Sequence, residues 1–211
     1  MIVIGLTGGM GSGKSTMMPW IEALGWSVLD ADQLARDVLA PGQPGLAEVV
    51  HLLGPSVVDS QEVLQRALVA NLVFSDPPLL RKFEAIVHHQ IRIKKQTYLE
   101  QLADQNPEAK FVYIAPLLFE TKMISQFQKT VLVALSETNQ WNRLVEGRQM
   151  SEPDIKRRLA AQMALESKQK LADFVIDNNG SLQSTKAQVV ALFTQLSTLE
   201  PWTLGQALGG S

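Results

Sequence analysis

The chain has 211 residues, 45% of them hydrophobic and 19% charged, with a formal net charge of −2. That balance excludes a disordered chain and gives no general attraction to nucleic acid or to an anionic membrane, so a polyanionic ligand needs a local cluster of Arg and Lys. With no cysteine present, disulfides, thiolate nucleophiles and Cys-ligated metals are excluded too.

Ile2-Val3-Ile4-Gly5-Leu6 is a short apolar, β-branched run of the kind that forms a strand buried on both faces. No basic region precedes it, so it reads as the first strand and not as a signal peptide. No stretch approaches the roughly 18 apolar residues of a membrane span, and the expected setting is the cytoplasm.

Gly8-Gly9-Met10-Gly11-Ser12-Gly13-Lys14-Ser15 follows, and it fits G-x-x-x-x-G-K-[ST] at every fixed position. Consecutive backbone N–H groups of such a loop, with the positive end of the next helix, form a concave site for the phosphates of a nucleotide. Gly8, Gly9, Gly11, Ser12, Gly13, Lys14, Ser15 and Thr16 are therefore expected to bind a nucleoside triphosphate. Lys14 would reach the β- and γ-phosphates, and the Ser15 hydroxyl would be a ligand of Mg²⁺. A helix from Thr16 to Leu24 is expected to end at Gly25, with Pro19 kinking or loosening it.

Trp26 to Leu29 reads as a second strand ending at Asp30-Ala31-Asp32, with a helix from about Gln33 to Leu39. From Leu46 to about Ala103 the pattern is helical, with turns at Gly54-Pro55 and Ser75-Asp76-Pro77-Pro78, and is longer than a minimal crossover needs. Phe111 to Ala115, Thr130 to Leu135 and Phe174 to Asp177 are three further strands. Five apolar strands separated by helices predict an α/β fold with a parallel sheet covered on both faces. Ligands then collect beyond the carboxyl ends of the strands. A helix from Thr138 to Glu146 and one opened by Ser151-Glu152-Pro153-Asp154 and running to about Leu171 carry several cations and suggest a lid. A last helix covers about Ser184 to Leu196, and the tail from Leu199 onward is expected to pack little and stay mobile.

Asp32 admits two readings on spacing alone. It can take the proton of a phosphoryl-acceptor hydroxyl, or it can cap the next helix and pair with Arg36 four residues on.

GLTGGMGSGKST, DADQLAR, PLLFE, RLAAQ and ADFVIDNNG occur in the order and at the spacings of the dephospho-coenzyme A kinase family, which the chain resembles from about Ile4 to Gly180. The resemblance implies transfer of the γ-phosphoryl group of ATP to the ribose 3′-hydroxyl of dephospho-CoA, giving coenzyme A and ADP. It implies a P-loop kinase domain over residues 1–200, with a core of 1–37, 108–137 and 172–198. The helical acceptor-binding insertion would span about 38–107, the lid about 138–171 and a mobile tail 201–211. By position, Asp32 matches the family's base, Asp30 would orient the 3′-hydroxyl or the metal, and Arg36, Arg66, His88, Leu117 and Glu120 fall where the acceptor is held. Arg143 and Arg158 match arginines of the lid and the helix after it, and Asn178 lies near the adenine. Three departures stand out: Gly147-Arg148 in place of Arg-Asp, His88-His89 in place of His-Pro, and Pro19. Arg148 is expected to swing in as a lid cation, and the helix at His88-His89 to run on.

Two rivals remain. One is a kinase for another small alcohol or nucleotide. The other is a GTP-dependent switch, since Asp177-Asn178-Asn179-Gly180 satisfies D-x-x-G, although no N-K-x-D occurs.

Overall fold

The computed structural model describes residues 1–148, 152–160 and 162–209, with the backbone alone at 147, 148, 153, 154, 157 and 158. The chain forms two compact units, one of Met1–Asp30 with Leu102–Ser211 and the other of Ala31–Gln101.

The first unit is built on a five-stranded parallel sheet: β1 (Ile2–Gly8), β2 (Trp26–Asp30), β3 (Lys110–Ile114), β4 (Lys129–Ala134) and β5 (Phe174–Asp177), in the order β2-β3-β1-β4-β5. β1 is central and buried along its whole length, which is why its sequence has no polar-apolar alternation. On one face Ile2, Ile4 and Leu6 pack with Met17 and Ile21 of α1 (Lys14–Glu22) and with Val189, Phe193 and Leu196 of a later helix. Trp26 meets Phe193 edge-on at 5.3 Å between ring centroids. On the other face a Cβ at Gly5 would stand 2.7 Å from Leu118 and 2.8 Å from Phe127, so glycine admits both side chains there.

Helix α1 contains Pro19 and runs unbroken through it, ending with the Ala23 N–H bonded to the Pro19 carbonyl at 3.1 Å. The second unit is helical: α2 (Ala31–Asp37), α3 (Pro44–Leu53), α4 (Arg66–Phe74) and α5 (Pro77–Gln105), whose last residues belong to the first unit. Its core is apolar, with Val38, Leu46, Val49, Val57, Val69 and Val73 packed against Phe83, Val87 and Ile91. Helix α5 passes His88-His89 without interruption, as expected once the proline is absent. Helix α2 begins at Ala31, two residues earlier than expected. Asp32 thus sits in its first turn, and Asp32 and Arg36, expected with the core segment, group with the helical unit.

The lid segment departs from the expected pattern. Helix α6 (Glu137–Arg148) and α7 (Glu152–Ala160) are followed by α8 (Leu165–Leu171), so the helix expected to reach Leu171 without a break is split. The cause is long-range: the Met163 N–H donates to Glu120 Oε1 at 2.9 Å, and Ala164 is extended at ψ 145. The expected cap Ser151 lies outside the described residues.

Helix α9 (Leu182–Leu196) starts under a Ser181 cap. The C-terminal stretch, expected to be loose, is instead pinned. Trp202 and Met1 exchange two backbone bonds of 2.8 and 2.7 Å, and Thr203 and Gln206 form a capping box on α10 (Leu204–Ala207). No helix among the described residues is long and apolar enough to cross a membrane.

Candidate active site

β1 ends at Gly8, β3 runs into Pro116, β4 into Ser136 and β5 into Asn178, so the parallel register brings the phosphate loop, Pro116–Glu120 and Asn178 to one rim. The loop turns at Gly11 (φ +78) and Gly13 (φ +94), angles that glycine adopts without strain. Gly13 is the first residue before α1, where no side chain caps the helix and no acidic residue sits in the first turn. The positive helix end therefore faces the loop uncompensated by any carboxylate of its own. Lys14 folds back across the loop, its Nζ donating to the Gly8 carbonyl at 2.7 Å, the Gly9 carbonyl at 3.0 Å and Ser12 Oγ at 3.4 Å. Ser15 and Thr16 are exposed at the first turn of α1.

The far side of the loop is packed. Gln140, Arg143 and Leu144 occupy one face of α6 at the i, i+3, i+4 spacing. Leu144 is fully buried, and its side chain would stand 3.1 Å from a Cβ at Gly11. Arg143 Nη2 donates to the Asn178 carbonyl at 2.9 Å. Asn178 is buried, donating from Nδ2 to the Ser12 carbonyl at 2.7 Å and accepting from Thr185 Oγ1 at 2.8 Å. Its side chain is a strut under the loop, and its backbone N–H donates to the Ala134 carbonyl at 2.9 Å. Asp177 accepts from the Asn179 N–H at 3.0 Å and from Asn179 Nδ2 at 2.6 Å, a local turn that braces the rim.

A cleft of about 660 Å³ adjoins the loop, bounded by Gly9, Ser12, the end of β4, Gln140 and Trp141 of α6, Gln162 to Leu165 and Lys168. That is within the size range of small-molecule sites. At its floor Lys168, 2% exposed in its side chain, pairs with Glu120 Oε1 at 2.9 Å and donates to the Pro116 carbonyl at 3.2 Å. Burial raises the Glu120 carboxyl pKa, but hydrogen bonds from Lys168 and from backbone N–H groups outweigh it, and the net position lies below the usual carboxylate value. The second oxygen of Glu120 is buried with no hydrogen-bond partner among the described residues. Glu120 thus joins the rim after β3 to the lid exit.

Of the other expected residues, Leu117 is 40% exposed on the rim while Leu118 is core. Asp32, Arg36, Arg66 and His88 are all exposed in the helical unit. Arg36 donates to Gln33 Oε1 at 3.1 and 2.7 Å. The side chains of Arg148 and Arg158 lie outside the described residues. Sequence reasoning missed Gln140, Lys168 and Thr185. For Gln140 a signal existed, its helical spacing from Arg143.

The sequence model of dephospho-CoA kinase matches residues 2–184. Dephospho-CoA kinase of Syntrophotalea carbinolica is 40% identical over 196 residues, covering 93% of this chain and 92% of that one, and the Halalkalibacterium halodurans enzyme of the same name is 38% identical, covering 90% and 94%. Among solved structures, TT1252 of Thermus thermophilus superposes with a TM-score of 0.77 at 35% identity, covering 92% of this chain and 97% of that one. Dephospho-CoA kinase of Campylobacter jejuni shares the fold with a TM-score of 0.64 at 22% identity, covering 93% and 98%. The chain therefore belongs to the dephospho-CoA kinase family, ATP-dependent enzymes that phosphorylate the ribose 3′-hydroxyl of dephospho-CoA to give coenzyme A and ADP in the last step of coenzyme A biosynthesis.

Proposed function

We propose that this chain carries out that transfer with Asp32 as the base for the 3′-hydroxyl and with the phosphate loop, Lys14 and Arg143 as the charge-stabilising groups. The observation that carries the reading is the loop itself, a lysine lying across glycine carbonyls at the uncapped start of α1. Phosphoryl transfer leaves the protein little covalent chemistry to perform, so positioning and neutralisation of the terminal phosphate dominate. Lys14 is poised for this because the carbonyls that hold it also hold its ammonium at the loop. Asp32 follows by two residues Asp30, at the end of edge strand β2, whose one neighbour, β3, runs into the Pro116 turn and is itself flanked by the loop-bearing β1. Arg36, Arg66 and His88 are exposed cations or donors suited to an acceptor that bears phosphates of its own.

The donor set fits Mg²⁺ used with substrate phosphates. Among the described residues no group of three or more His, Cys, Asp or Glu is placed to hold a metal, and Mg²⁺ in kinase sites takes few protein ligands and completes its shell with phosphate oxygens and water. Ser15, with its exposed hydroxyl beside Lys14, would hold it, and the ion would neutralise charge on the β- and γ-phosphates. Arg148 and Arg158 complete the proposal as lid cations, with Glu120 bracing the rim in place of an acceptor contact. Small-molecule substrates in the cytoplasm, without nucleic acid or membrane, agree with the net charge of −2.

Asp32→Asn tests the assignment. The variant is expected to keep its affinity for ATP and to lose about 10²- to 10⁴-fold in turnover, the usual contribution of a general base. Full turnover in this variant would leave Asp32 only the role of a first-turn carboxylate that favours the start of α2.

A further inference from the structure

Two side chains with no part in that scheme meet the phosphate loop at a single residue. Gln140, on α6, donates from Nε2 to the Met10 carbonyl at 2.7 Å, and Gln162, between α7 and α8, accepts the Met10 N–H on Oε1 at 3.2 Å. These bonds act on two consecutive peptides. A trans peptide is planar, with its N–H and C=O pointing in opposite directions.

Holding the Met10 N–H therefore turns the Gly9 carbonyl the other way, where it accepts from Lys14 Nζ at 3.0 Å and from the Ser12 N–H at 3.1 Å. Holding the Met10 carbonyl likewise turns the Gly11 N–H away from Gln140. Gly11 sits at φ +78 and lacks a side chain to resist rotation, so its preceding peptide needs an outside grip to keep one orientation. The loop is shaped to admit both glutamines. A Cβ at Gly9 would stand 2.5 Å from Gln140 Nε2 and 3.1 Å from Gln162 Oε1.

Gln162 is in turn held from the rim. The next residue, Met163, donates its N–H to Glu120 at 2.9 Å, and Glu120 pairs with the buried Lys168. A continuous set of contacts thus runs from the turn after β3 through the lid exit to the phosphate loop.

We propose that Gln140 and Gln162 are positioning residues that fix the Gly9–Met10 and Met10–Gly11 peptides, presetting the loop's N–H groups for the triphosphate, and that Gln162 makes this preset depend on the lid exit. The inference rests on the kinase reading only in taking the loop as the triphosphate site.

ATP titration and steady-state kinetics of Gln140→Leu, Gln140→Glu and Gln162→Leu test it. Loss of one hydrogen bond of this kind predicts a rise of about tenfold in the ATP dissociation constant for either Gln140 variant, and of about threefold for Gln162→Leu with its longer bond. The KM for dephospho-CoA stays within about twofold and the melting temperature falls by no more than about 4 °C, which separates positioning from general loosening. Should Gln140→Leu fail to fold, Gln140→Glu, of equal size but without the donor, decides the matter. ATP affinity within about twofold of the parent in the folded Gln140 variants overturns the proposal, as do parallel rises in the constants of both substrates. A parent enzyme that binds ATP but does not phosphorylate dephospho-CoA sinks the kinase reading instead, and leaves the titration as a valid test of the glutamines.

Discussion

In the sheet unit the buried polar residues Thr7, Ser12, Thr130, Lys168 and Asn178 take part in hydrogen bonds that cross long stretches of sequence. Lys168 reaches Pro116 and Glu120, Asn178 reaches Ser12, and Thr130 is tied through both N–H and hydroxyl to Asp173 at 2.8 and 2.9 Å. In the helical unit the one buried polar residue among those described is Lys95, and the core is otherwise an apolar stripe. Hydrophobic packing is non-directional and tolerates repacking, whereas a buried polar network specifies one geometry and is costly when broken. The unit that carries the phosphate loop therefore relies on directional bonds, and the helical unit relies on packing.

The sharpest way to break this contrast is Lys168→Met. Removing one partner of a buried ion pair leaves Glu120 uncompensated, with an expected loss of about 3–5 kcal/mol, or roughly 10 °C in melting temperature. Adding Glu120→Leu to it should recover part of that loss, and a double variant as unstable as the sum would deny the coupling.

Lys95→Met should act in the opposite direction. Burial lowers the Lys95 pKa to about 8, so the folded state disfavours its charge. With the folded value below the unfolded one, the stability contribution is full only above the unfolded pKa, near 10.5, and is lost as pH falls through about 8. The parent enzyme should gain stability between about pH 8 and pH 10. Lys95→Met should flatten that rise and add on the order of 2 kcal/mol at neutral pH, read from denaturant unfolding at several pH values.

Asn178→Ala should cost about 1–2 kcal/mol, by leaving the Ser12 carbonyl without its partner, and should weaken ATP binding alongside. The smallest effect is acidic. Burial raises and hydrogen bonds lower the Glu120 and Asp173 carboxyls, to net values below the ordinary range, with the bonds from Lys168 and from Thr130 leading in each case. Their contribution is present above the unfolded carboxylate values near pH 4 and is lost as pH falls through the lower folded ones. Unfolding followed from about pH 5 downward should show it.

Much of this architecture was legible in the residues. The inner strands β1, β3 and β4 are largely apolar runs because both faces of the sheet are covered there, and the loop motif sits between strand and helix as its chemistry requires. The helix break at Gln162–Ala164 was not legible, since it depends on a bond from Met163 to Glu120, 43 residues away in sequence. Nor was the strut role of Asn178, which reaches Ser12 across 166 positions. The pinned C-terminus was partly readable, because Thr203 and Gln206 stand at capping-box spacing, but its bonds to Met1 join opposite ends of the chain. Local patterns announced the elements, and the contacts that shape the site came from outside each local window.

The most direct test of the account is the position of the transferred phosphate. Incubated with ATP, Mg²⁺ and dephospho-CoA, the enzyme should produce one ADP per new phosphomonoester, and phosphorus–proton correlation NMR should couple that phosphorus to the ribose H3′. ADP released without that signal, or a phosphate coupled to any other position, would contradict it.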